Sequence, residues 1–178
     1  MSPYKVFFFA AAVALAALPK PVSAQVYFGG FGSSSIVYYQ SGGSGFEFTP
    51  QAPRAGHDSR IDPRCLKAAR IADARSFPHS RLLCWQYVKH ALLDAGAVAR
   101  YPSTNYAFQA GLELTSRYGF IRLPIYNPYR APVGAVLVYR GGSAGHVEIR
   151  TENGFASDYH SHWACRYRLI GVYAKLSA

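Results

Sequence analysis

The spacing of apolar and polar residues divides the 178-residue chain into three textures. An unbroken apolar run covers Val6 to Leu18, and Gln25 to Arg60 is rich in Gly, Ser and Tyr with no sustained period. Helical spacing begins only beyond Ile61. There Asp62 followed by Pro63 supplies an N-cap and a proline suited to the first helical position, ahead of "RCLKAARIADAR" with Leu66, Ala69 and Ala72 on one side. Ser80 then precedes "RLLCWQYVKHALLDAG", where Leu83/Cys84, Tyr87/Val88, Ala91/Leu92 and Ala95 recur every three or four residues and Gly96 ends the run. A third helix is predicted after Ser103, through "NYAFQAGLELTSRYG", despite the helix-weakening Gly111.

After Gly119 the period becomes that of strands: "FIRL", "GAVLVYRGG", a hairpin of "HVEIRT" and "FASDYH", and a closing "RLIGVYAKL". Helices followed by an antiparallel meander predict an α+β domain. Within the hairpin, a three-residue loop Glu152-Asn153-Gly154 that pairs Thr151 with Phe155 keeps each face coherent. Val147, Ile149, Phe155 and Tyr159 then form an apolar face, and His146, Glu148, Arg150, Asp158 and His160 a polar one. That polar face is a candidate site in which Asp158, His160 or Glu148 is placed to orient His146.

Composition adds place and environment. Lys5, the apolar run and Val22-Ser23-Ala24 before Gln25 have the form of a secretory signal peptide, giving an expected leader (1–24), a Gly/Ser/Tyr-rich flexible arm (25–60) and a catalytic domain (61–178). The expected location is the periplasm or the exterior, with no stable membrane insertion after cleavage. Removing the leader lowers the formal charge from +10 to +8, so the exported chain remains basic and suited to anionic surroundings. The charges neither cluster in runs nor alternate with aromatics on one element, which argues against a nucleic-acid partner.

Three cysteines leave an odd one after pairing. Cys65 and Cys165 lie towards the two ends of the folded region and are the expected disulfide, worth up to ~4.7 kcal/mol for a loop of about 100 residues. Cys84, in the first turn of the second helix, is the odd thiol, placed where unpaired N–H groups and the helix dipole favour a thiolate. His146 begins a strand after the glycine-rich "RGGSAG", and a cysteine nucleophile needs such a base.

From Ser80 to Tyr173 the chain resembles the NlpC/P60 and CHAP superfamily of papain-like cysteine peptidases and amidases. "CWQYVKHALLDAG" looks like the superfamily's helix that opens on the nucleophile, and "APVGAVLVY" followed by "GHVEIR" is similar to its Pro-Gly-Asp and Gly-His-Val-x-Ile strands. Ala135 stands where the motif has Asp, and Trp85 where many members have Ser. The resemblance implies a papain-like fold, Cys84 as nucleophile, His146 as base and Asp158 on the next strand as the third residue. It implies a peptidoglycan or peptide substrate and no cofactor, with room for an inhibitor or immunity protein as partner; a monomer is the expected state. Two rival readings follow from the residues alone. One is a metal-site hydrolase with Asp158, His160, His162 and His146 as ligands; the other is a non-catalytic secreted module that binds anionic wall or host surfaces.

Overall fold

The computed structural model describes residues 54–177. The expected leader, and the arm as far as residue 53, lie outside the described residues. Residues 54–60 run along the domain: Ala55 N–H donates to the Glu152 carbonyl and the Gly56 carbonyl accepts from Val133 N–H.

Helix α1 spans Pro63–Arg75, α2 Cys84–Asp94 and α3 Ala110–Tyr118. Asp62 caps α1 by accepting the Arg64 N–H at 2.9 Å, with Pro63 at the helix start. Its buried side is small, made of Cys65, Ala68, Ala69 and Ala72, which allows close packing on α2 and on the sheet. On α2, Trp85, Val88, Lys89, Ala91 and Leu92 are buried. Both Trp85 Nε1 and Lys89 Nζ donate to the carbonyl of Thr104, and Glu113 of α3 accepts the N–H groups of Ser103 and Thr104, so one loop ties α2 to α3. Gly111 is required inside α3 because a Cβ there would lie 2.3 Å from the Tyr173 ring. Close helix–strand approach outweighs the helix-propensity cost.

Six strands form one antiparallel sheet: β1 Ile121–Leu123, β2 Val136–Arg140, β3 His146–Thr151, β4 Gly154–Ala156, β5 His160–Ser161 and β6 Arg168–Ala174. Their spatial order is β1-β6-β2-β3-β4-β5. β2 to β5 form a meander, while β6 returns to the other side of β2 and seals it from solvent. The fold is α+β, with helices preceding an antiparallel sheet, as the pattern predicts.

The hairpin register differs from the expected one. Thr151 pairs with Gly154 and Arg150 with Phe155, so the turn is the two-residue Glu152-Asn153. The reason is local: the buried Arg150 donates from Nη1 to the Gly154 carbonyl at 2.8 Å and lies 4.4 Å from the Phe155 ring centre, an arrangement that needs both on one face. Beyond Ala156 the chain bends at Ser157 and Asp158. Asp158 and His160 therefore leave the strand that was expected to set them opposite Glu148 and His146.

All three cysteines are free. The expected Cys65–Cys165 bridge is absent because the two thiols occupy separate settings. Cys65 is fully buried on α1 beneath the Gly134 turn, and Cys165 is half-buried in the β5–β6 connection with its N–H turned to Glu148.

Gly145, immediately before His146, has φ 73° and would place a Cβ 2.5 Å from the Tyr139 carbonyl oxygen. Gly145→Ala is expected to cost about 2 kcal/mol or more from positive φ and backbone overlap together. The check is the denaturant midpoint of the purified domain, which should fall with an unchanged slope.

Candidate functional site

The loop from Ser76 to Leu83 carries the chain from α1 to Cys84, the first residue of α2. Its shape is set from outside by Asp158. Phe77 N–H donates to the Asp158 carbonyl at 2.9 Å. The fully buried Asp158 carboxylate accepts from Arg81 N–H at 2.6 Å, Leu83 N–H at 3.1 Å, the Ser80 hydroxyl at 3.1 Å and the Ser157 hydroxyl at 3.1 Å. Leu83, the N-cap residue of α2, makes no side-chain cap hydrogen bond; the remote Asp158 carboxylate instead holds its N–H and fixes the chain's entry into the helix. Burial alone would raise the Asp158 pKa, but these donors outweigh it and hold the carboxyl below its ordinary 3.8.

This clamp has a local cost. Leu82, bracketed by two clamped residues, has φ 62° and is the only non-glycine residue with positive φ among those described. Such a conformation costs a leucine about 1 kcal/mol or more. Its N–H is satisfied by the Ser80 hydroxyl at 3.2 Å, while its side chain projects into solvent.

His146 begins β3 beside Cys84 and is 12% exposed. Its Nε2 lies 3.3 Å from Glu148 Oε2, an ion-pair contact off the ideal hydrogen-bond line, and its ring faces the Cys84 side chain closely enough for the two to interact. Glu148 is two residues along the same strand and so on the same face. Its other oxygen accepts the Tyr139 hydroxyl at 2.6 Å and the Cys165 N–H at 3.4 Å. Tyr139 is itself paired with His146 across β2 and β3. Burial disfavours a charged His146 ring, yet the hydrogen bonds and charges of Cys84 and Glu148 prevail and raise its pKa from 6.5 to about 10. Burial and the Glu148 charge push the Tyr139 phenol far up, so it remains a neutral donor.

The structure thus brings together Cys84, His146 and Glu148. It does not join Asp158 to His146: every hydrogen bond of the Asp158 carboxylate goes to the loop before Cys84 or to Ser157. His160 is elsewhere too, with Nδ1 2.5 Å from Asp73 Oδ1 on α1 and its ring edge-on to His162. The four side chains of the metal reading therefore have separate partners, and no group of three His, Cys, Asp or Glu arranged to hold a metal ion occurs among the described residues. Tyr139 and the Cys165 N–H escaped the sequence reading. The first was legible only in the β2–β3 register, and the second has no side-chain signature.

No family model and no curated protein matches the sequence. Among solved structures, the chain is similar to one in the type VI native effector–immunity complex Tae3–Tai3 from Ralstonia pickettii, at 20% identity and a TM-score of 0.50, over 62% of this chain and 98% of that one. A selenomethionine form of that complex aligns at 25% identity with a TM-score of 0.44, over 53% of this chain and 80% of that one. The first likeness is one of fold.

Two outcomes follow from the geometry. His146 should remain an imidazolium at pH 8 by nitrogen-15 NMR, and Glu148→Gln should move its titration down towards 6.5. Because folding raises this pKa, the associated stability is fully present below about pH 6.5 and is lost as pH rises through about 10. Asp158→Ala should strand the Arg81 and Leu83 N–H groups at about 1–3 kcal/mol each, read as a lower urea midpoint.

Proposed function

We propose that this chain is an exported cysteine hydrolase that cleaves amide bonds in peptidoglycan peptides, with Cys84 as nucleophile, His146 as general base and acid, and Glu148 as the residue that orients His146. The observation that carries this reading is the placement of His146, at a strand start, facing Cys84, at a helix start, with the Glu148 carboxylate 3.3 Å from Nε2 of the ring. Substrate class rests on the resemblance to NlpC/P60 and CHAP enzymes. The fold shared with a chain of an effector–immunity complex supports an antibacterial role with an immunity protein as partner. Export rests on the leader-like residues 1–24.

In this mechanism His146 already carries the proton, as its raised pKa requires, and the Cys84 sulfur facing it attacks the amide carbonyl carbon, forming a C–S bond and an oxyanion. The Cys84 N–H has no intrahelical acceptor at the first position of α2 and supplies one donor to that oxyanion. Collapse of the intermediate breaks the C–N bond as His146 gives its proton to the leaving amine, leaving a thioester. Water then attacks, His146 takes its proton, and the C–S bond breaks to release the carboxylate and restore the starting pair. Glu148 orients the imidazolium from Oε2. Asp158 acts on the other partner by fixing the loop that presents Cys84.

The test is incubation of purified sacculi with wild type and Cys84→Ala, followed by mass spectrometry of the soluble fragments. Wild type should release peptides cut at one amide bond and Cys84→Ala should release none; equal release by both would end the proposal. Glu148→Gln should lower kcat on the order of 10²-fold with KM little changed. A fragment ladder cut within the glycan strand instead would point away from amide chemistry.

A further inference from the structure

Leu82 is the most exposed large apolar side chain among the described residues, at 92%, and it stands two positions before Cys84. A solitary exposed leucine is ordinary on a protein surface. Here exposure coincides with the left-handed φ of 62°. Glycine would adopt that conformation without strain, and asparagine with little. Almost all of the leucine side chain remains in water, so burial within this chain does not compensate for the strain.

The loop also prevents Leu82 from turning inward. On either side of it, the N–H groups of Arg81 and Leu83 are held on the buried Asp158 carboxylate, and the Arg81 guanidinium lies 3.9 Å from the centre of the Phe77 ring. The neighbouring Leu83 is itself 41% exposed, so two consecutive aliphatic side chains border the chain's entry into Cys84. An aliphatic side chain turned outward two residues before Cys84 is placed to meet an apolar group on a molecule that Cys84 attacks.

We infer that Leu82 is a specificity-determining residue that selects a substrate with an aliphatic side chain next to the scissile amide. The inference rests on the hydrolase reading above. It names the chemistry of the flanking substrate residue, which the Cys84–His146 pair by itself leaves undetermined. The left-handed backbone is the means by which the side chain is aimed outward.

The test uses Leu82→Gly and Leu82→Asn, both compatible with positive φ, in the full chain. Three quantities are read: Tm, the rate of Cys84 alkylation by iodoacetamide, and kcat/KM on synthetic stem peptides bearing alanine, valine or serine beside the scissile amide. Wild type should prefer alanine or valine to serine by ~10-fold, the selectivity that one apolar contact provides. Both variants should keep or raise Tm, alkylate within about twofold of wild type, and lose that preference through KM, as removal of a ground-state contact requires. Selectivity unchanged in both variants would overturn the inference, including the case in which Leu82 serves a partner protein instead. A fall in Tm or in alkylation rate would also overturn it, by making Leu82 a folding or nucleophile-positioning residue. A wild type that cuts neither sacculi nor peptides would instead remove the hydrolase reading, and this inference with it.

Discussion

A buried carboxylate that must be fully hydrogen-bonded governs the shape of the candidate site. Asp158 is fully buried, and an unpaired charge at such a place would cost several kcal/mol. Its donors come almost entirely from Ser80, Arg81 and Leu83, so the loop has little freedom once the sheet has placed Asp158. The start of α2, the direction of Leu82 and the position of Cys84 follow from that requirement. The same device recurs where Glu113 receives the N–H groups of Ser103 and Thr104 and fixes the loop that leads to α3. Loops in this domain are shaped by carboxylates from other elements more than by their own turn residues.

The second half of the site obeys a different logic. His146, Glu148 and Tyr139 lie on one face of two paired strands, so strand geometry brings them together with no loop to position them. Glu148 is 2% exposed, accepts from the Tyr139 hydroxyl and the Cys165 N–H, and faces the His146 ring. A polar chain buried this way is rigid because each member's partner is fixed by the others. Rigidity on the His146 side and a clamped loop on the Cys84 side are complementary, and each half is held by its own buried acid.

Cys84 and His146 were legible from their local settings: a cysteine opening a strongly periodic helix, and a histidine beginning a strand after a glycine-rich turn. The helices, the strands and the α+β class were legible in the same way, since apolar periodicity is a property of neighbours in sequence. Asp158 was recognised as important but assigned to the wrong partner. That assignment depended on extending the β3–β4 pairing past Ala156, where the chain bends. The one-residue difference in hairpin turn came from Arg150 seeking the Gly154 carbonyl and the Phe155 ring, a side-chain demand within the hairpin that outweighed face alternation.

By itself, then, the sequence determined which segments form helices and strands, and that Cys84 and His146 each open a regular element. These depend on propensities and spacings within a few residues. Tertiary structure decided which acid faces which partner. Glu148 faces His146, Asp158 clamps the Cys84 loop, His160 goes to Asp73, and Cys65 and Cys165 remain apart. The physical reason is that each buried charge is satisfied by donors from distant segments, and only the register of the sheet and the bend after β4 bring those segments within hydrogen-bond reach.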